Sequence, residues 1–476
     1  MSENHIKTWP LLAVVLLVGC RAAQTVHDPE YALVAQAAYE AWHDPMPAES
    51  AVSPVVYELA GPQPVEAYIG YALSQNAGVQ AARKRVEAAA MRVPQAASLK
   101  DPMLDVVGWP FFPHVPQTAS GRMTVDMMVS QEVPWFGKLS TQAAAAEEEV
   151  NAARAQLAAA ELKTIEEVKL AYYELYFVQK AIRITQEDRD ILADLIEVAN
   201  ALYTTDKTSQ QDVLRLQAEL SSVDGELIRL AQMRAAAQAE MSQLLHVSPE
   251  TPLAAIEELS PEDVPGDLDA LYRQAVALRP ELHAMLADIE RDRWKVDRAR
   301  LEYYPDATFK FGWGEMSTGG ALAASADGID NLTIGLSMNL PVYRRRLDAA
   351  VHEAEATVVA GAREYDQMKD ETQRDVKRLF TQAASQRDLE VLFRESIILK
   401  TRQALEVTVR QYQAGDVEFA DLIANWRELL RFHISHLQLE AQLRQTLASL
   451  ERVVGGMTEP TAEVIPAPNG EPRPIP

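Results

Sequence analysis

A single cysteine, Cys20, stands in 476 residues, which excludes a disulfide framework and a cysteine-rich zinc site. Nowhere does the chain offer the roughly 18 consecutive apolar residues that a membrane-spanning helix needs. Any bilayer span must therefore be built of strands. Walker A loops, dinucleotide-binding glycines after a strand, HExxH and G-x-S-x-G are all missing, so the chain is not expected to be an enzyme and no catalytic or metal-ligand set is assigned. Basic residues are the minority: 45 Lys and Arg against 69 Asp and Glu leave a formal charge of -24, which argues against a nucleic-acid partner. Many acids share helix faces with bases, as Glu166 and Glu167 do with Lys163 and Lys169, and surface pairing accounts for them better than acid–base catalysis. The excess negative charge serves solubility and would also attract cations.

What is present begins with the cysteine's address. Lys7 and the amino terminus precede an apolar stretch from Leu11 to Val18, the layout of a secretory signal. It closes on Leu17-Val18-Gly19-Cys20, which resembles the lipobox of bacterial lipoproteins. That resemblance implies removal of residues 1–19 and a covalent lipid on Cys20, with no other cofactor; the alternative is an ordinary signal with a chance cysteine. Arg21, where inner-membrane lipoproteins usually carry Asp, points to the outer membrane. Residues 20–64 are expected as a lipid-anchored tether, and 457–476 as a Pro-rich tail without assigned function.

Between these ends the chain repeats itself. Ala72-Leu73-Ser74-Gln75-Asn76 lines up with Ala275-Val276-Ala277-Leu278-Arg279, and Asp101-Pro102 with Tyr304-Pro305, both at an offset of 203 (275 less 72). Pro134 matches Pro341, and Tyr203 with Asp212 matches Tyr412 with Asp421. The copies span 65–247 and 267–456, joined by a linker at 248–266, and each is expected to run helix, strand, strand, long helix, helix. Ser140 to Leu202 lacks Pro and Gly, while Arg344 to Ala414 has Gly361 as its one breaker. The helices that follow carry heptads: Val213, Leu220, Leu227 and Met241 on one seam, Leu216, Val223, Leu230, Ala237 and Leu244 on the other. Leu422, Leu429, Leu443 and Leu450 continue the pattern in the second copy, interrupted by Asn425, His436 and Thr446. The expected fold is mainly α, with long antiparallel coiled-coil hairpins whose turns fall near Thr204–Thr208 and Gly415–Val417.

Four strands are expected. Leu332, Ile334, Leu336, Met338 and Leu340 alternate with Asn331, Thr333, Gly335, Ser337 and Asn339 without exception. Met123, Val125, Met127, Val129 and Val133 share one face of a second strand, broken by Gln131, with Met128 misplaced on the other face. Ala307, Phe309, Phe311 and Trp313 mark a third; Leu104 to Trp109 is assigned by its repeat mate. Pro113–Gly121 and Met316–Asp330 are expected as the exposed turns of two hairpins. Alternation alone also fits a soluble sheet packed on helices. In hydrocarbon, however, a bare strand edge leaves N–H and C=O groups unsatisfied, and single-chain barrels begin at about eight strands. A chain with four must share its wall with other copies.

These residues resemble a known family, the TolC-like outer-membrane efflux proteins. The resemblance covers about residues 60 to 456 and rests on the duplicated unit, on Ser130-Gln131-Glu132-Val133-Pro134-Trp135-Phe136-Gly137-Lys138 leaving a strand for a helix, and on Tyr412-Gln413-Ala414-Gly415-Asp416. It implies a homotrimer in outer-membrane lipid, four strands per protomer in a shared β-barrel, and a periplasmic α-barrel tunnel. It also implies a periplasmic adaptor (membrane fusion) protein and an inner-membrane pump of the resistance-nodulation-division type. The adaptor would meet a tip formed by Tyr203, Thr204, Asp206, Tyr412 and Gly415. In the family's best-known member two aspartates past the second tip narrow the closed entrance; here Asp421 takes the first position and Ala424 the second. Asp421, with Asp416, Glu418 and Asp212, would form a negative pore gate, although a carboxylate in a helix's first turn is favourable without any gating role. Pro134-Trp135-Phe136-Gly137-Lys138 and Tyr172-Tyr173-Glu174-Leu175-Tyr176 resemble the heavy-metal branch, with drug efflux and a non-pore coiled-coil scaffold as alternatives. Met123, Met127 and Met128 offer soft-metal thioether ligands but are read as filler on a lipid-facing strand, and His433 with His436, at i and i+3, could share a metal on one helix face but have no Cys or evident third ligand beside them.

Overall fold

The 67 residues from Lys138 to Thr204 form one unbroken helix, about 100 Å long at 1.5 Å per residue. A computed structural model describes residues 55–109, 117–118, 120–204, 209–260, 263–318, 327–414 and 416–456, with a few positions between 28 and 39. The signal segment, Cys20, nearly all of the tether and the Pro-rich tail lie outside the described residues.

Just ahead of the first copy stands β1 (Gly61–Gln63), and the copy itself holds α1 (Val65–Gln75), α2 (Ala77–Ala97), β2 (Met103–Gly108), β3 (Gln117–Thr118), β4 (Gly121–Val133), α3 (Lys138–Thr204) and α4 (Gln210–Leu245). After β5 (Leu253–Ala255), the second holds α5 (Leu268–Leu278), α6 (Pro280–Leu301), β6 (Ala307–Ser317), β7 (Asn331–Met338), α7 (Arg344–Leu392), α8 (Ile398–Ala414) and α9 (Phe419–Val454). Each copy's leading helix is split in two. Asn76 caps α2 by accepting from Gly78 N and Val79 N, and Pro280 opens α6, where its missing N–H costs nothing.

The second long helix runs through its one glycine, as expected, and departs from α-helical geometry only further on. Gly361 does not interrupt α7: a Cβ there would lie 3.3 Å from Ile289 Cγ1, so the glycine admits α6 at close range. The break comes at Phe393–Ile397, one π-helical turn between α7 and α8, where Phe393 meets Phe432 of α9 with ring centroids 5.9 Å apart. The linker is also more than a spacer. Its β5 pairs in parallel with β1, Leu253 is fully buried, and the Tyr68 hydroxyl donates to Ala254 O at 3.0 Å.

Heptad patterning becomes packing. Val213, Leu216, Val223, Leu230, Ala237 and Met241 of α4 are buried, as are Leu422, Leu429, Leu443 and Leu450 of α9. Two of the polar interruptions are satisfied: Asn425 Nδ2 donates to Thr408 Oγ1 at 2.8 Å, and Thr446 Oγ1 bonds back to Gln442 O at 2.8 Å.

The larger sheet runs β2-β4-β6-β7, antiparallel throughout, with β3 also paired to β4. The two hairpins expected are therefore present, and β4 against β6 joins them. Their turns are shorter than expected, since Gly121 begins β4 and Met316, 6% exposed, lies inside β6. One sequence match shifts. Val129 faces Leu104 and Leu336 faces Phe309; with Pro134 on Pro341, Val129 corresponds to Leu336, so Leu104 corresponds to Phe309. The first strands are thus offset by 205 (309 less 104), and Asp101 corresponds to Asp306, where the match of Pro102 with Pro305 had 203.

Candidate functional site

Two regions of the chain could carry function: the apolar sheet face and the ends of the helical hairpins. On the sheet, Leu104, Val129, Phe311 and Ile334 stand in one cross-strand row, and Val106, Met127, Trp313 and Leu332 in the next. This face is bare: Leu104, Val106, Phe309, Phe311, Leu332, Leu336 and Met338 are all about half exposed or more, and Ile334 reaches 81%. The opposite face carries Ser130, Lys310, Thr308, Ser337 and Asp126, so the pleat separates an apolar from a polar side. Met128 does fall on the polar side, where it lies over Gly312, its Cε 3.5 Å from where a Cβ would be. Met127 sits on the apolar side between Val106 and Trp313, whereas the bulge between Met123 and Val125 turns Met123, expected on that same side, to the polar one, its Cε 3.3 Å from where a Cβ of Gly314 would be, so the three methionines do not share one face. Both outer strands, β2 and β7, have a free edge among the described residues.

At the helical junction with the sheet, Lys138 is 1% exposed, and its Nζ lies 2.8 Å from Asp306 and 3.3 Å from Glu302. Asp306 Oδ1 also accepts from Trp135 N at 2.8 Å, and Trp135 stacks on Tyr304, centroids 5.3 Å apart. The motif that leaves β4 for α3 thus plants one buried lysine against two carboxylates of the second copy and ties the copies together.

At the far end, the second tip exposes acids. Asp416, Glu418 and Asp421 are all exposed, and Asp421 makes no side-chain hydrogen bond or ion pair among the described residues. Its backbone N–H donates to Glu418 O at 3.1 Å, which places it in the first turn of α9, where the helix dipole favours a carboxylate. Ala424 is exposed one turn further on. Asp212 is different: its carboxylate accepts from Ser209 N at 3.3 Å and bonds Ser209 Oγ at 2.7 Å, closing a capping box at the start of α4. That engagement, which the pattern of repeats does not reveal, removes it from the free acids. Tyr412 is corrected as a contact residue. It is 6% exposed and packs on Phe419, centroids 6.1 Å apart, so it builds the tip from inside. Tyr203 at 44% and Thr204 are exposed; Asp206 and Gly415 lie outside the described residues.

Sequence reasoning missed Asp188. It is 5% exposed in α3, its Oδ2 has no hydrogen-bond partner among the described residues, and burial, then the charge of Glu187, pushes its pKa up to about 6. It lines a groove of about 470 Å³ with Glu187, Arg402, Glu406 and His433. His433 is held below the usual imidazole range by burial, then by Arg402 and His436. The signal was available: Ala181, Leu192, Leu195 and Ala199 form a buried stripe, and Asp188 falls on it at helical spacing. His433 and His436 gather no third ligand, and no group of three His, Cys, Asp or Glu that could hold a metal occurs among the described residues.

The family described as "Outer membrane efflux protein" matches residues 68–246 and 271–456, one stretch per copy. The chain is 21% identical over 414 residues to the cobalt-zinc-cadmium resistance protein CzcC of Cupriavidus metallidurans, covering 84% of this chain and 91% of that protein. Among solved structures it is similar in fold to CusC, with a TM-score of 0.71 at 16% identity over 86% of this chain and 96% of that one. The outer membrane protein VceC of Vibrio cholerae gives a TM-score of 0.69 at 19% identity, covering 82% and 96%.

Proposed function

The chain belongs to the outer membrane efflux protein family, and from that premise we propose that three copies form the exit duct of a tripartite efflux system, carrying heavy-metal cations out of the periplasm. The sheet carries this reading. An apolar face with Ile334 81% exposed, flanked by two bare strand edges, is stable in a bilayer only when other copies close the wall. The helical hairpins then project from the barrel as the periplasmic tunnel. Cys20 carries the lipid that holds the tether in the outer membrane.

Cargo and partners follow from likeness. A cobalt-zinc-cadmium resistance protein aligns over most of both chains, and the Pro134–Lys138 and Tyr172–Tyr176 wording supports the same branch. A periplasmic adaptor meets the tips at Tyr203, Thr204, Asp206 and Gly415, and a pump of the resistance-nodulation-division type feeds the tunnel. Asp421, Asp416 and Glu418, repeated around the threefold axis, make a negative constriction that favours cations. Cells lacking this protein should accumulate cobalt, zinc, cadmium or copper and regain resistance on complementation. Unchanged metal content with increased drug sensitivity would move the cargo to small organic molecules. A purified chain that stays monomeric and folded in detergent-free buffer would end the channel reading.

A further inference from the structure

The duplication contains its own template for the bare edges. Within the chain, β4, the second strand of copy one, pairs with β6, the first strand of copy two, with Ser130 opposite Lys310, Gln131 opposite Phe309 and Val129 opposite Phe311. In the repeat, β7 takes the place of β4, and β2 takes the place of β6. Those are the two edges. We propose that β7 of one protomer pairs antiparallel with β2 of the next in the register of β4 on β6. This sets Ser337 opposite Asp105 of the neighbouring protomer, Met338 opposite its Leu104, and Leu336 opposite its Val106. The inference rests on the oligomeric reading above and adds the residue-level seam.

Three independent features agree with this register. First, it keeps the faces: Met338, Leu336, Leu104 and Val106 belong to the apolar side, and Ser337 and Asp105 to the polar one. A slip of one residue would bring apolar opposite polar along the whole seam. Second, the same substitution of copies carries the Lys138–Asp306 anchor onto Arg345 and Asp101. Lys138 corresponds to Arg345 through the Pro134–Pro341 match, and Asp306 to Asp101 through the strand ladders. The result is again a cation facing a carboxylate. In the single chain, Arg345 and Asp101 are both exposed and neither has an ion-pair partner among the described residues. Third, the stack of Trp135 on Tyr304 maps onto Val342 and Leu99, an apolar pair at 65% and 45% exposure. One junction is filled within the chain. The other is left open with matching chemistry on its two sides.

The register can be read by disulfide trapping in the full-length protein. Directly opposed antiparallel residues have Cα atoms about 4.5–5.5 Å apart, within disulfide reach, whereas a neighbour two residues along is beyond it. Ser337→Cys combined with Asp105→Cys should run on non-reducing gels as covalent dimers and trimers that collapse on reduction. Each single variant should run as a monomer, which also controls for Cys20. Ser337→Cys with Val107→Cys, the pair joined by a register two residues away, should stay monomeric. Stronger linkage in that second pair, with the native oligomer intact, would overturn the register while leaving the oligomeric reading standing; no native oligomer at all would overturn both. As a second measurement, Asp101→Lys should lower the temperature at which the oligomer dissociates, and adding Arg345→Asp should restore it. Equal loss in single and double variants would remove the ion pair from the seam.

Discussion

Lys138 Nζ lies 2.8 Å from Asp306 Oδ1, joining the first residue of α3 to the residue just before β6. Because the lysine is almost fully buried, removing it strands a carboxylate that also serves the Trp135 amide. Lys138→Met should cost about 3 kcal/mol, the usual penalty for breaking rather than replacing a buried ion pair. The heat-dissociation midpoint of the detergent-solubilised oligomer measures it. Lys138→Met with Asp306→Asn should recover part of that loss.

Asp421→Ala should raise single-channel conductance in planar bilayers and weaken block by divalent cations. The residue is exposed, without an ion-pair partner among the described residues, and close to Asp416 and Glu418 at the second tip. Asp212→Ala should leave conductance unchanged and instead cost about 1 kcal/mol of stability, because its carboxylate is committed to the Ser209 capping box. Equal conductance for wild type and Asp421→Ala would reduce Asp421 to a helix-terminal acid.

Asp188 gives the fold a pH dependence of definite sign. Its folded pKa of about 6 lies above the unfolded value of about 3.9, so between these limits the folded state holds more protons than the unfolded chain. Stability therefore falls as pH rises from about 4 to about 6, by an amount on the order of 3 kcal/mol, and the penalty persists above that. His433, held below its ordinary range, acts in the opposite sense, losing stability as pH falls through the unfolded imidazole value. The difference between wild type and Asp188→Asn isolates the aspartate. The variant should be the more stable at pH 7, and the gap should close near pH 4 in denaturant titrations.

Cys20→Ser should leave conductance and oligomer intact while loosening retention in the membrane, because a closed barrel holds itself in lipid. Fractionation of envelopes under high-salt and alkaline washes would measure the retention. Loss of the oligomer in this variant would mean that the lipid is needed for assembly itself.

How much of this was legible in the sequence differs from element to element. β7 was plain, since Asn331 to Met338 alternate without a fault, and the fault in β4 was informative: Met128 sits on the polar side because Gly312 makes room for it. β2 was not, because Val106 and Val107 point to opposite faces with equal hydrophobicity. The π turn at Phe393–Ile397 left no signal, as it depends on where Phe393 meets Phe432 across to α9. At the tips, the repeat located Tyr412 but not the direction of its ring, and matched Asp212 with Asp421 although only one has a free carboxylate. The Pro102–Pro305 match misled by two residues. A proline marks where a strand begins only loosely, whereas hydrogen-bonded partners count residues.

The parallel pair of β1 with β5 has a consequence for how the polypeptide becomes a protein. Tyr68 and Tyr172 both reach this pair, the latter donating to Gln63 O at 3.0 Å and accepting from Ile256 N at 3.2 Å. A fragment ending at Leu245, though it holds every helix of its half, would lack the segment those hydroxyls grip. The first half therefore cannot finish until the chain has run through β5 in the linker, and splitting the gene directly after the first copy's last helix would yield two pieces, of which the earlier is missing its clasp.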